Sequence, residues 1–123
     1  MPARLVVLAS GAGSNLAAVL TGCHDGTIDG EVVGVVSNVA GAFALERAAR
    51  SGVPSEVVER RDAEERRTYD ARLAEVVIGF RPDWVVLAGW MRILTSNFLD
   101  RFPHRVVNLH PALPGELPGI NAI

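Results

Sequence analysis

Leu5-Val6-Val7-Leu8-Ala9-Ser10-Gly11-Ala12-Gly13-Ser14-Asn15-Leu16 decides the fold. Its first five residues are apolar without alternation, the pattern of a strand buried on both faces, as in a parallel sheet. The run stops at Ser10-Gly11-Ala12-Gly13. Ser14 then opens a helix in which Leu16, Val19 and Leu20 fall on one side, with Gly22 and Gly26 bracketing its end. A buried strand, a glycine turn and a helix in this order form the first half of a βαβ unit.

The rest of the chain repeats the alternation. Residues 32–36 read as a second buried strand, 54–58 as a short third strand, and 84–88 and 105–109 as a fourth and fifth. A helix over 43–50 is stopped by Gly52-Val53-Pro54. Asp62 is expected to cap a longer helix from Ala63 to about Phe80, with Leu73, Val76, Val77 and Phe80 at helical spacing. Thr95 or Ser96 caps a short helix ending near Arg101. Strand–helix alternation with short connections predicts an α/β fold: a doubly wound, mostly parallel sheet with helices on both faces, related to the Rossmann class. Residues 111–123 hold three Pro and two Gly and are expected to form no element. The whole chain, 1–123, reads as a single domain.

Composition narrows the function classes. With 123 residues, 49% hydrophobic and 21% charged, the chain can bury a core and is not of the disordered type. The net charge of -2 and pI near 5.9 give no bulk attraction to nucleic acid or to an anionic membrane. All 12 basic residues are Arg, so neither a Schiff-base Lys nor a P-loop Lys is present. The single Cys23 cannot form an internal disulfide, which fits a reducing, cytoplasmic setting. No apolar run approaches the ~20 residues that span a bilayer.

In doubly wound sheets ligands bind beyond the carboxyl ends of the strands. Three stretches should share that edge: 10–15, 89–94 and 108–114. In the first, a glycine turn leading into a helix lets backbone amides approach an anion. Leu16 stands where a dinucleotide fingerprint needs its third Gly, and residues 37–38 are Ser-Asn rather than an acid for a ribose diol. Gly13, Ser14 and Asn15 suit a phosphate monoester instead; a capped tight turn without ligand is the plainer alternative. In the third stretch, Asn108 and His110 lie two apart on a strand and can project together. An amide donor and an imidazole make a proton-transfer pair, although a His satisfied by a loop carbonyl would look the same. In the second, Gly89-Trp90-Met91-Arg92-Ile93-Leu94 is either a buried turn or an apolar slot for a flat aromatic ligand. Cys23-His24-Asp25 falls at the far end of the first helix, residues 60–67 read as a solvated helix start, and His104 as surface.

Together the three edges resemble the phosphoribosylglycinamide formyltransferase family. The resemblance rests on Ser10-Gly11-Ala12-Gly13-Ser14-Asn15-Leu16, Val86-Leu87-Ala88-Gly89-Trp90-Met91-Arg92-Ile93-Leu94 and Asn108-Leu109-His110-Pro111-Ala112-Leu113, and covers nearly the whole chain. It implies transfer of a formyl group from 10-formyltetrahydrofolate to glycinamide ribonucleotide in purine biosynthesis. On that likeness Gly13, Ser14 and Asn15 hold the ribonucleotide phosphate. Met91, Arg92, Ile93 and Leu94, with Asn108, line the folate pocket, and Arg66 reaches the folate tail. Asn108 polarises the formyl oxygen and His110 moves the proton; no metal is implied. The partners are small molecules, not nucleic acid or membrane, and a homodimer is one compatible assembly.

Two departures from the family pattern stand out. Leu113 is followed by Pro114-Gly115, and Asn121 takes the place of a common second His. The family's Asp that orients the catalytic His falls beyond Ile123, so the chain reads as the amino-terminal part of an incomplete enzyme. The mean hydropathy of +0.24 fits a domain with apolar surface awaiting another segment. The expectation is an exposed tail, a His110 without its carboxylate and little formyl transfer. Methionyl-tRNA formyltransferase and formyltetrahydrofolate hydrolase share the Asn-x-His-Pro motif and are the nearest alternatives, followed by a non-catalytic nucleotide-binding module.

Overall fold

The computed structural model describes residues 2–110 and 119–122, with His110 and 119–122 described as backbone. Their elements run β1 (Ala3–Leu8), α1 (Ser14–Asp25), β2 (Gly30–Ser37), α2 (Phe43–Arg50), β3 (Ser55–Val57), α3 (Arg66–Gly79), β4 (Trp84–Ala88), α4 (Ser96–Leu99), β5 (Val106–His110) and β6 (Gly119–Ala122). The strands make one sheet in the order β3-β2-β1-β4-β5-β6. β1 to β5 pair in parallel, as the alternation predicted.

The unbroken apolar strands follow from burial on two sides. Val6 and Leu8 face one core with Val36, Val85 and Leu87, against Tyr69, Leu73 and Val77 of α3 and Phe98 of α4. Leu5, Val7 and Ala9 face the other with Val35 and Val86, against Leu16 and Val19 of α1 and Ala44 and Ala48 of α2. Each fully buried Val or Leu contributes about 1.5–3 kcal/mol. Central β1, with Val6, Val7 and Leu8 at 0% exposure, is therefore firmly anchored and fixes the turn that follows it. Among the described residues no helix is long and apolar enough to cross a membrane.

Strand order reverses beside β1. The chain moves outward through β2 and β3, and α3 then carries it back to β4 on the opposite side of β1. The crevice beyond the carboxyl ends of β1 and β4 lies at this switch point, where ligands of such sheets bind. At the opposite edge Arg4 holds the β4 entry: its Nε donates to the Arg81 carbonyl and its Nη2 to that of Phe80, while Asp83 accepts its backbone N–H.

Three expectations need correction. A strand does form in the carboxyl-terminal stretch: β6 pairs antiparallel with β5, Asn108 opposite Asn121. The prolines obscured it, yet none falls within 119–122; residues 111–118 lie outside the described residues. Next, α3 starts at Arg66, not Ala63, with Glu65 at its N-cap. The cause is an ion pair: Arg72 Nε and Nη2 donate to the two Glu64 carboxylate oxygens at 2.9 and 2.8 Å. Glu64 also accepts the Arg61 N–H, which folds 61–64 into a turn with Ala63 at φ 57°. Finally, α4 ends at Leu99 rather than near Arg101. The end of α1 at Asp25, with Gly26 at φ 84° as its C-cap, falls between Gly22 and Gly26 as expected.

Candidate active site

The glycine turn hangs between β1 and α2. Ser10 N–H donates to the Gly89 carbonyl at 3.1 Å, and the next backbone amide to find an acceptor is that of Ala17, on Gly13 at 2.9 Å. Among the described residues the N–H groups of residues 11–16 thus have no protein acceptor. No side chain caps α1 and no acid stands in its first turn. Free amides at the start of a 12-residue helix carry the positive end of its dipole, the arrangement that binds an anion. Gly13 sits at φ 76°, and a Cβ there would lie 2.8 Å from the Ala44 Cα. Glycine is required here by close packing on α2 as well as by the backbone angle.

Ser10 ties this turn to the next edge. Its buried hydroxyl accepts the Met91 N–H at 2.9 Å, which fixes the loop after β4 against the end of β1. Gly89 turns that loop at φ 75°. Of the four residues named for a folate slot, Arg92, Ile93 and Leu94 line a cavity of about 260 Å³ with Leu87, Trp90, Leu99 and Asn108. Met91 does not: its side chain is 79% exposed, and its backbone amide is the structured part. The buried Nε1 of Trp90 and Nε of Arg92 have no acceptor among the described residues, so both can serve a heteroaromatic ligand.

Arg92 also borders a second cavity, of about 580 Å³, lined by Arg60, Ala63, Glu64, Glu65 and Arg66. Here Arg66, taken from the resemblance, and Arg60, which the sequence reading left in a solvated helix start, come together. Glu64 is already committed to Arg72, whose hydrogen bond, with the Arg61 N–H, holds its carboxyl down at about 2. The cavity therefore presents three guanidinium groups against one uncommitted carboxylate, Glu65, and favours an anionic ligand.

Asp70 is the residue no sequence pattern signalled. Fully buried, it accepts both the Thr95 N–H at 2.6 Å and the Thr95 hydroxyl at 2.7 Å on one carboxylate oxygen. It thereby pins the end of the 89–94 loop to α3. Its neighbour Tyr69 supports Arg92, whose guanidinium lies 4.1 Å from the ring centroid.

Asn108 stands on β5 beside Leu87 of β4. β1 and β5 flank β4, and the register Leu8–Leu87–Asn108 sets Asn108 two strand spacings, about 10 Å, across the sheet from Leu8, two residues before the glycine turn. His110 ends β5, and its side chain lies outside the described residues, as do residues 111–114. Cys23 and His24 sit at the opposite end of α1. Burial, then Asp25 and Glu31, push the Cys23 thiol up, contrary to what a nucleophile needs.

The sequence profile described as formyl transferase matches residues 3–123. The chain is 44% identical over 135 residues to phosphoribosylglycinamide formyltransferase of Schizosaccharomyces pombe, covering 100% of this chain and 65% of that protein. With the Escherichia coli enzyme of that name it shares 41% over 118 residues, 96% of this chain and 56% of the other. A solved structure, glycinamide ribonucleotide transformylase 1 from Symbiobacterium toebii, superposes with a TM-score of 0.86 at 42% identity, covering 96% of this chain and 56% of that one. The chain thus spans between 56% and 65% of the length of these relatives.

Proposed function

The chain belongs to the formyl transferase family, and from that premise we propose that it serves transfer of a formyl group from 10-formyltetrahydrofolate to the amine of glycinamide ribonucleotide. The observation that carries the choice of acceptor is the run of amides at 11–16 that have no acceptor among the described residues; they follow Leu8, which lies about 10 Å across the sheet from Asn108. A phosphate monoester there leaves the rest of a ribonucleotide free to extend toward β5.

Gly13, Ser14 and Asn15 bind the phosphate through their N–H groups. The cavity of Leu87, Trp90, Arg92, Ile93, Leu94 and Leu99 takes the flat ring system of the folate, with the Trp90 and Arg92 N–H groups meeting ring heteroatoms. Arg66 and Arg60 offer charge to the acidic tail. The folate supplies the formyl group itself. As the amine attacks the formyl carbon, negative charge grows on the formyl oxygen. The Asn108 side-chain N–H donates to that oxygen and lowers the barrier, because the donor is held in place beforehand. His110 relays a proton from the attacking amine toward the departing folate nitrogen. A cytoplasmic protein acting on small molecules, with residues 1–123 as one domain and a homodimer as candidate assembly, completes the reading.

Formyl transfer assayed in the protein that spans the family's full length, with glycinamide ribonucleotide, initiator transfer RNA or water as acceptor, tests it. Turnover confined to the ribonucleotide is expected. Turnover with transfer RNA or water alone would replace the proposal by one of its relatives. Ribonucleotide binding without any transfer would leave a nucleotide-binding module.

A further inference from the structure

An anion turn works only if its carbonyl oxygens point elsewhere. In this chain three successive carbonyls of the glycine turn are accounted for. Gly11 accepts the Ala44 N–H at 3.1 Å, Ala12 accepts Arg47 Nε at 2.8 Å, and Gly13 accepts the Ala17 N–H. Two of the three acceptors are therefore turned onto α2. In a trans peptide the C=O and the following N–H point in opposite directions. Drawing the Ala12 carbonyl toward Arg47 thus aims the Gly13 N–H away from α2, toward the open side of the turn.

The Ala12–Gly13 peptide is the weakest point of the turn. Glycine on one side of a peptide removes most of the steric resistance to rotating it, and Gly13 already adopts φ 76°. A rotated peptide would place a carbonyl oxygen where the phosphate binds. Arg47 is built to prevent this. It is half-buried, its Cδ lies 3.3 Å from where a Gly13 Cβ would be, and its guanidinium rests 4.9 Å from the Phe43 ring centroid. Stem and head are both held, so its Nε is presented to one acceptor.

We propose that Arg47 is a positioning residue for the phosphate turn: its Nε–H holds the Ala12–Gly13 peptide in the orientation that offers the Gly13 amide to the ribonucleotide phosphate. The inference rests on the functional reading above. It also assigns the effect to the hydrogen bond rather than to the charge, and two substitutions separate these. Arg47→Gln places an uncharged N–H donor at the position of Nε. Arg47→Met keeps the stem and removes the donor.

The experiment titrates glycinamide ribonucleotide and inorganic phosphate into the purified protein that spans the family's full length and its two variants by calorimetry, with a thermal melt of each. Loss of a hydrogen bond from a charged donor predicts ribonucleotide binding weakened about ten- to hundredfold in Arg47→Met. Arg47→Gln should recover to within about threefold of the parent chain by the same argument. Both variants should melt close together, so that the affinity difference follows the donor and not stability. Unchanged affinity in Arg47→Met overturns the inference. So does an Arg47→Gln variant as weak as Arg47→Met, which assigns the effect to charge. A parent chain that binds neither ribonucleotide nor phosphate overturns the functional reading at this turn, and the inference with it.

Discussion

Ser10 at the end of β1 and Met91 after β4 are joined by a hydrogen bond from the Met91 N–H to the Ser10 hydroxyl, 2.9 Å long and 81 residues apart in sequence. It links the turn assigned to the phosphate with the loop assigned to the folate. The two loops are thereby tied to one another.

Ser10→Ala leaves the Met91 amide without that acceptor at a part-buried position. Such a loss costs about 0.5–1.5 kcal/mol, and a domain of this size melts several degrees lower for each kcal/mol, roughly 4–8 °C at the small end. Because the bond joins both half-sites, affinity for ribonucleotide and for folate should fall together. Differential scanning calorimetry and two binding titrations check this. A variant with parental melting and parental affinities would show that the loops are held independently.

Asp70→Asn should loosen the same loop from its other end. The carboxylate accepts two hydrogen bonds from Thr95 on one oxygen, and its other oxygen is buried without a partner among the described residues. An amide in its place offers a weaker, uncharged acceptor. Hydrogen bonds to a charged group are worth about 1.5–3 kcal/mol against about 1 for neutral pairs. Faster amide exchange is expected at residues 91–95, with weaker folate binding and ribonucleotide binding little changed. Unchanged exchange at Thr95 would count against the pinning role.

The fold was legible because burial on two faces erases the period-2 pattern and leaves apolar runs bounded by glycine. The 84–88 strand was read from such a run to the residue, and the 43–50 helix from the Gly52-Val53-Pro54 stop that follows it. What escaped were features set by long-range pairing. Glu64 looked like one charge among many until Arg72, eight residues on, drew it into a turn and moved the start of α3. Asp70 carries no local signal, since its partner is Thr95, 25 residues away. The candidate site was legible as three edges, because strand ends of a doubly wound sheet converge by topology. Its lining was legible in part: Arg92, Ile93, Leu94 and Asn108 were named and border the cavity, whereas Leu99 escaped notice and Met91 is exposed, a matter of loop course rather than composition.

Chemistry should be separable from binding. In the protein spanning the family's full length, Asn108→Ala removes the donor assigned to the formyl oxygen, and loss of one such group lowers kcat about 10²–10³-fold. His110→Ala removes the proton relay, for which about 10²–10⁴ is expected. KM for the ribonucleotide should change far less, because neither residue lies on β1 or α1. Steady-state kinetics on both variants measure this. Near-parental kcat in both would leave the proposed transfer without its residues.

Alkaline pH offers a test on Tyr69, the only tyrosine of the chain. Its ring is fully buried and its hydroxyl donates to the Val58 carbonyl. Burial is the main cause that pushes its pKa from 10.0 up to about 12; the nearby Arg92 and Arg72 act in the opposite sense and are outweighed. The folded state then keeps its proton where the unfolded chain has begun to lose it. Stability conferred by this group is complete below pH 10, and falls as pH rises toward 12. The window is unusually clean, because no Lys titrates in it. Cys23, whose thiol is also raised from 9.0, is the one other side chain to control for. In a Cys23→Ser background, urea unfolding between pH 9 and 12 should show stability declining above about 10. Adding Tyr69→Phe should flatten that decline. At neutral pH it should cost about 1–3 kcal/mol, since the Val58 carbonyl loses its donor. A decline of equal size in the phenylalanine variant would place the alkaline sensitivity elsewhere in the chain.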